Sequence, residues 1–405
     1  MKTEILNDNI ARAAEIIRAG GLVGVPTETV YGLAGNGMDE SAVERIYEVK
    51  GRPARKPLSL MVPGREAMDA LCADVPPGAL ILAESFWPGP LTIVLKAKEC
   101  VPSVVLAGGE TVGLRCPDNE KTLSLLRACR LPLAAPSANP SGAPSPKTAQ
   151  EVIAYFGGTI EAVIDGGPCG VGIESTIVSL AGEGLTVVRR GALPEKMIRR
   201  CLIDRLVIIG VTGGSGTGKT TALRVMEEMG ALVIDADDVY HGLCRSCAPM
   251  LEEIGTRFAG VVENGVLLRK KLGQIVFSDT QALEDLRQIT DRYVEQEIDR
   301  LLSDHAAAGG AAAAVDAVNI LDTPLMEYVS AVVGITAPEE DRVARLVARE
   351  GIDPEYARLR IRAQKEDAYY EENCTCVIRN SGTKEEHRRR CKEVFRKILE
   401  ENKHG

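Results

Sequence analysis

The sequence predicts two α/β domains in series: a twisted mixed α/β domain over residues 1–204, then a doubly wound parallel sheet with a helical lid over 205–405. Three observations lead there. Strand-like and helix-like stretches alternate along the whole chain, the pattern of α/β domains. After Asp204 the character changes, and Leu206–Val211 is an apolar, β-branched-rich run of the kind a buried parallel strand requires. Directly behind it, residues 213–220 fit G-x-x-x-x-G-K-[ST] between a strand and a helix.

In the first half, Leu22–Val25 and Val30–Leu33 read as strands and Ala42–Lys50 as a helix. Thr92–Leu95, Val112–Arg115, Leu133–Ala135, Ala162–Ile164, Thr176–Leu180 and Leu185–Val188 follow as short strands between Gly/Pro turns, with a helix over Pro194–Leu202. In the second half a glycine loop follows Leu206–Val211, with a helix from about Thr220 and a strand over Ala231–Ile234. Long helical segments with Arg-rich faces complete it. The change of character after Asp204 places the boundary near 204; no Ser/Gly linker separates the halves, so they are expected to abut with little slack, and there is no internal repeat.

Composition narrows the classes. The 405 residues are 45% apolar and 26% charged, with 48 Lys+Arg against 57 Asp+Glu and a formal charge of -9. That balance argues against a general nucleic-acid or membrane binder. Residues 1–204 hold 21 basic and 23 acidic side chains, leaving 27 and 34 for the rest, so the nearly neutral first half has room for a local basic cleft. The start Met1-Lys2-Thr3-Glu4 lacks the apolar core of a secretory signal, and no apolar run approaches the ~18 residues of a membrane span. The expectation is a cytoplasmic protein with reduced thiols. Cys244/Cys247 and Cys374/Cys376 lie close in sequence and could make a zinc site, but buried or idle thiols are favoured.

Gly213-Gly214-Ser215-Gly216-Thr217-Gly218-Lys219-Thr220 is a phosphate cradle on physical grounds. Its glycines let backbone N–H groups curl around phosphate oxygens, and the helix that follows adds its positive end. Lys219 is placed to neutralise the β/γ-phosphates and the Thr220 hydroxyl to ligate Mg²⁺. A glycine-rich turn matching by accident is the bland alternative, and the flanking strand and helix weigh against it. Asp235 and Asp237 close the next strand, at the sheet end where ligands bind. Asp237 is the candidate base for an acceptor hydroxyl and Asp235 the candidate to orient Mg²⁺; the alternative for either is a helix N-cap. Arg342, Arg345, Arg349, Arg358, Arg360 and Arg362 have the density of a phosphate-transfer lid or of a solvated helix face, and spacing does not choose among them.

On Thr212–Thr220, Ile234–Asp237, Gly265–Arg269, Leu272–Phe277, Arg360–Gln364 and Ile378–Asn380, residues 206–400 resemble the dephospho-CoA kinases. The resemblance implies a P-loop NTPase fold and ATP-dependent phosphorylation of the ribose 3′-hydroxyl of dephospho-CoA. It implies Asp237 as base, residues 213–221 (through Thr221) around ATP, Arg269 at the acceptor and Arg360 in the lid. Three departures touch the acceptor side: Asp291-Arg292 stands for the family's His-Pro, Val318–Asp322 for its Pro-Leu-Leu-Phe-Glu, and Thr375 for an Asp before the last strand.

Polar residues in the first half sit at strand ends and Gly/Pro bends. They fall in Pro26–Gly32, Lys50-Gly51-Arg52-Pro53, Lys56–Ser59, Phe86–Pro90, Gly113–Arg115, Pro136–Asn139, Glu174–Thr176 and Arg189–Gly191. Singly each has an ordinary reading, such as cations at a helix end or Ser and Asn in turns. Together they suit a cleft for a triphosphate and a carboxylate. In this order, with K-x-R at Lys50/Arg52 and S-x-N at Ser137/Asn139, residues 5–200 resemble the YrdC/Sua5 family, the threonylcarbamoyl-AMP synthases. The resemblance implies a YrdC-like concave, cationic surface. There L-threonine, bicarbonate and ATP would give threonylcarbamoyl-adenylate and pyrophosphate, for transfer to adenosine 37 of tRNA by separate proteins, with at most weak contact to tRNA itself. By the same resemblance, Lys50, Arg52, Thr111, Asn139, Ser145 and Arg189 surround ATP, and Thr27, Ser59, Arg115, Ser137 and Ser175 surround threonine. The competing expectation is a non-catalytic RNA-binding module fused to a P-loop nucleoside kinase; the near-neutral charge and the absence of aromatic stacking runs weigh against it.

Overall fold

Several helices start where the sequence supplies a capping oxygen. Asp39 accepts from Ser41 N–H before Glu40–Lys50, Asn119 from Thr122 N–H before Glu120–Cys129, and Thr148 and Glu151 form a reciprocal capping box before Ala149–Phe156. The computed structural model describes residues 2–317 and 320–402; Val318 and Asn319 of the acceptor-side stretch lie outside the described residues. It divides into two compact units, one formed by residues up to Leu202 together with Ala307–Gly309, the other by the rest.

The first unit is a mixed ten-stranded sheet. Its strands are β1 (Glu4–Leu6), β2 (Val23–Val25), β3 (Gly32–Asn36), β4 (Ser59–Met61), β5 (Leu91–Lys96), β6 (Thr111–Arg115), β7 (Leu133–Ala134), β8 (Ala162–Ile164), β9 (Thr176–Ser179) and β10 (Thr186–Arg189). They lie in the order β1-β8-β2-β3-β7-β4-β6-β5-β9-β10. The pairs β4/β6 and β5/β9 are parallel, while β5/β6 and β4/β7 are antiparallel. Strands β2, β7 and β8 are buried throughout and β3, β4 and β6 at all but one position, which explains why they read as short apolar runs rather than as alternating ones. The parallel β4/β6 pair matters for function: it sets Ser59 opposite Gly113 and Met61 opposite Arg115.

The second unit has five parallel strands, β11 (Val207–Thr212), β12 (Leu232–Asp235), β15 (Ala312–Asp316), β16 (Ala331–Thr336) and β17 (Cys376–Arg379). A two-stranded ribbon, β13 (Val262–Glu263) with β14 (Val266–Leu267), stands apart. The order β12-β15-β11-β16-β17 puts the first strand in the middle, so connections leave to both sides of it. That makes the carboxyl end of β11 a topological switch point, and the glycine loop sits there. Helices Lys219–Glu228 and Lys384–Glu401 pack on this sheet through Ala222, Val225, Met226, Cys391 and Phe395. Helices between Ala236 and Ala307 form a separate cluster around Met250, Ile254, Phe258 and Leu272. No helix among the described residues is long and apolar enough to cross a membrane.

Candidate functional site

Each unit holds one candidate site, and the two are built differently. In the first unit, helix Glu40–Lys50 is closed by Gly51 in the left-handed region (φ 56°), and this turn delivers Lys50 and Arg52 to a cavity of about 470 Å³. Lys50 is buried and its Nζ donates to the Ser137 and Asn139 carbonyls, tying the helix end to the Ser137–Asn139 turn. Burial, and then the neighbouring Arg52 charge, pull its pKa down to about 8 against the opposing pull of Glu174. Burial also holds Arg52 below its usual value; its Nη2 donates to the Pro57 carbonyl at 2.9 Å.

Arg115, at the end of β6, is 7% exposed. Its Nη2 donates to Glu28 Oε1 at 2.7 Å and Thr29 Oγ1 at 2.8 Å, and its Nε donates to the Gly89 carbonyl at 3.3 Å. The guanidinium is therefore aimed before any substrate arrives. On the facing wall Arg189 pairs with Glu174, which also accepts from Ser145 Oγ at 2.8 Å, while Arg189 Nη2 donates to Ser175 Oγ at 3.1 Å. Asn139 Nδ2 donates to the Ala143 carbonyl at 2.6 Å and the Pro140 carbonyl at 3.0 Å, which settles the amide's orientation. Its Oδ1 is a buried acceptor with no partner among the described residues.

The structure thus gathers Lys50, Arg52, Ser59, Arg115 and Ser137 with Asn139, Ser145, Ser175 and Arg189 around one cavity. Two expected residues do not line it. Thr111 stands at the far end of β6, opposite Lys96, and Thr27 is a buried turn residue whose Oγ1 bonds the Val30 carbonyl and the Thr29 hydroxyl. Thr27 is linked to Arg115 through Thr29. Thr29 and Glu174 stand inside the blocks the sequence offers but without a role there, and Thr92 reads only as a strand residue: its Oγ1 lies 3.0 Å from Ser175 Oγ. Glu174 was within reach, since it stands directly before Ser175 in the chain.

In the second unit the cradle's backbone demands glycine. Gly218 has φ 110°, and a Cβ there would lie 2.5 Å from Asn380 Nδ2; a Cβ on Gly213 (φ 146°) would strike the Ile335 carbonyl. Lys219 Nζ curls onto the Gly213 carbonyl at 2.7 Å, and Thr220 lies in the first turn of helix Lys219–Glu228. Thr217 Oγ1 is committed to the Gly214 carbonyl at 2.9 Å. Gln364 clasps Ser215 from both sides, accepting from its N–H and donating to its Oγ, each at 2.8 Å.

Asp235 is the N-cap of helix Ala236–Ser246, accepting from Asp237 N–H at 2.9 Å and Asp238 N–H at 3.2 Å. The capping alternative therefore describes Asp235, while Asp237 rides in the helix's first turn. Across the strands Asp235 is in register with Asp316. Burial, with Asp235 and Asp237 adding like charge, pushes the Asp316 carboxyl up to about 6 despite Lys219. The sequence reading missed Asp316 because it ends the alanine run of β15, which carries little strand signal.

The lid arginines separate by partner. Arg342 Nε and Arg345 Nη1 donate to loop carbonyls, both at 3.0 Å. Arg358 pairs with Glu340 at 2.7 Å, Arg362 with Glu339 at 3.5 Å and Arg360 with Glu350. Arg360 thus stands in an exposed ion pair rather than on the loop. Arg269 opens helix Arg269–Val276, with Nη2 3.3 Å from His241 Nδ1. Of the departures, Thr375 Oγ1 accepts from Val332 N–H at 2.9 Å beside β16, burial raises the Asp291 carboxyl, and Asp322 ends a 3-10 turn. All eleven cysteines are free thiols, and no group of three His, Cys, Asp or Glu side chains among the described residues is arranged to hold a metal ion.

Comparison with known proteins agrees with this division. A family model described as telomere recombination (Sua5/YciO/YrdC) matches residues 15–191, and one described as dephospho-CoA kinase matches 207–386. Over 203 residues the chain is 47% identical to a threonylcarbamoyl-AMP synthase of Pyrococcus abyssi, covering 50% of this chain and 60% of that protein. It is 37% identical over 182 residues to the synthase of Pseudomonas syringae pv. syringae, covering 45% of this chain and 97% of that one. It is 35% identical over 180 residues to the dephospho-CoA kinase of Dehalococcoides mccartyi, covering 43% of this chain and 88% of that one. The chain belongs to the threonylcarbamoyl-AMP synthase family through its first part and to the dephospho-CoA kinase family through its second.

Proposed function

We propose that one polypeptide carries two ATP-dependent activities. Residues 1–204 form threonylcarbamoyl-AMP from L-threonine, bicarbonate and ATP, and residues 205–405 phosphorylate the ribose 3′-hydroxyl of dephospho-CoA. The observation that carries the reading is the pairing of two complete anion sites of different construction, the Lys50/Arg52/Arg115/Arg189 cavity and the Gly213–Thr220 cradle.

In the first site, Arg115 receives the threonine carboxylate, with Ser137 and Ser175 beside it. The threonine amine and bicarbonate lose water to give a carbamate, whose oxygen attacks the α-phosphorus as pyrophosphate departs. Nucleophile and target are both anionic, so Lys50, Arg52 and Arg189 act by screening that repulsion and the charge on pyrophosphate. No covalent enzyme intermediate is needed; positioning and charge carry the step. Asn139 Oδ1, buried and fixed in orientation, accepts from a donor group of the nucleotide.

In the second site the loop amides and Lys219 bind the β/γ-phosphates, and Asp237 takes the proton of the acceptor hydroxyl as oxygen attacks the γ-phosphorus. The oxygen donors at hand, Thr220 with Asp235 and Asp316 at adjacent strand ends, suit a hard divalent ion such as Mg²⁺. Held by these residues, such an ion would supply charge neutralisation at the phosphates. Arg269 stands toward the acceptor. The first product serves separate proteins that modify tRNA, and both reactions are cytoplasmic.

The test is direct. Pyrophosphate release should require threonine and bicarbonate together, and dephospho-CoA should be phosphorylated in preference to a nucleoside panel. ATP consumption indifferent to threonine and bicarbonate would sink the first assignment, and equal use of nucleosides the second.

A further inference from the structure

The glycine cradle is held from outside. Four successive carbonyls of the loop each receive a side-chain donor from distant sequence. Arg342 Nε donates to Ser215 O at 3.0 Å, Arg345 Nη1 to Gly216 O at 3.0 Å, Asn380 Nδ2 to Thr217 O at 2.8 Å, and His387 Nε2 to Gly218 O at 3.2 Å. A carbonyl only accepts, so His387 carries its proton on Nε2; burial keeps the imidazole below its usual pKa, hence neutral. Arg342, Asn380 and His387 are 6%, 5% and 2% exposed, so each is built into the interior rather than draped over it.

The geometry of the peptide unit gives this arrangement a consequence. A trans peptide is planar, with C=O and the following N–H pointing in opposite directions. A carbonyl pinned outward therefore aims the next residue's N–H inward. Pinning Ser215 O aims Gly216 N–H, pinning Thr217 O aims Gly218 N–H, and pinning Gly218 O aims Lys219 N–H. Anion binding by such a loop depends on those amides converging.

We propose that Arg342, Asn380 and His387, with Arg345 through its longer contact to Thr217 O, are positioning residues that orient the phosphate-binding amides without touching the nucleotide. This rests on reading the loop as the ATP site. Two of the four lie on helix Glu339–Glu350, whose backbone leans on the loop so closely that a Cβ on Gly216 would lie 2.8 Å from the Arg342 carbonyl. The inner part of the lid is thus part of the cradle, and the ion-paired Arg358, Arg360 and Arg362 form its outer part. The contributions are graded. Thr217 O depends on Asn380 and on a longer 3.4 Å contact from Arg345, whereas Gly218 O is also held by Thr221 N–H at 3.0 Å and Ala222 N–H at 3.3 Å. Asn380 therefore matters most and His387 least.

The test separates phosphate affinity from base affinity in the full chain. An ATP analogue is titrated, the equivalent abolished by Lys219→Ala is assigned to this loop, and tripolyphosphate and adenosine serve as competitors. Asn380→Asp keeps the volume but sets an acceptor against Thr217 O. It is expected to weaken tripolyphosphate about ten- to hundredfold while adenosine changes less than about twofold. His387→Leu should lose about threefold, and His387→Gln, which keeps a donor, should regain it. Unchanged tripolyphosphate affinity in Asn380→Asp, or loss of adenosine in its place, overturns the proposal. Thermal unfolding checks the fold of each variant; should Asn380→Asp not fold, Arg345→Met against Arg345→Lys supplies the same comparison, with the same outcomes for and against. Failure of the unsubstituted chain to phosphorylate dephospho-CoA counts against the kinase reading and leaves the polyphosphate competition measurable.

Discussion

The two units bind the same kind of anion with opposite materials. In the second, the main chain supplies the donors, and side chains such as Asn380 and Arg345 only hold it in shape. In the first, the donors are side chains: Lys50 Nζ is fixed by two carbonyls and Arg52 by the Pro57 carbonyl, while Arg115 and Arg189 are held chiefly by the carboxylates of Glu28 and Glu174. A main-chain cradle depends on its glycines, its one lysine and the outer side chains that hold it in shape. A side-chain cavity spreads the work over many residues, and its charges interact, as the lowered pKa of Lys50 beside Arg52 records.

This contrast makes its own predictions. Lys219→Ala should reduce dephospho-CoA phosphorylation on the order of a thousandfold and leave threonine-dependent pyrophosphate release unchanged, measured side by side; parallel loss of both would erase the distinction. In the other unit Arg115→Ala should raise the KM for threonine about ten- to hundredfold, because it removes the carboxylate's cation and leaves the partly buried Glu28 without its ion-pair partner. Gly218→Ala, at φ 110°, should cost about 1–3 kcal/mol in strain, read as lost ATP affinity of the kinase alone.

Two smaller effects follow from titration. Asp316 has a carboxyl pKa raised to about 6 in the free protein, so its carboxylate is lost as pH falls through that value, and kcat/KM for ATP, which reports the free enzyme, should fall along that acid limb. Asp316→Asn should leave a weak rate without that limb. Lys50, with pKa about 8 in the free protein, is charged in about half the molecules at pH 8. An arriving triphosphate favours the ammonium form, so binding should take up about half a proton at pH 8 and almost none below pH 7. Calorimetry in buffers of different ionisation enthalpy reads this uptake, and Lys50→Arg should remove it.

Much of this was legible in the sequence. The phosphate loop is local, with strand, glycines, lysine and helix contiguous, so its fold and site appeared together. The first unit's cavity is not local, and only the resemblance assembled it; even so Thr111 and Thr27 fall outside its wall, because strand direction and a buried turn carry them away. Tertiary burial overrode propensity at β15, where alanines in mid-sheet brought Asp316 to the site unseen. The loop's outer donors were invisible for another reason: partners 127 to 169 residues apart leave no periodic trace. Spacing alone also treated all the lid arginines alike, whereas acidic partners hold Arg358, Arg360 and Arg362 off the loop.

The central claim is that one chain carries two independent nucleotide sites. Equilibrium titration of the full-length protein with a non-hydrolysable ATP analogue should saturate at two equivalents, with Lys219→Ala removing one and Arg52→Ala weakening the other. Saturation at a single equivalent, or loss of both from either substitution, would contradict it.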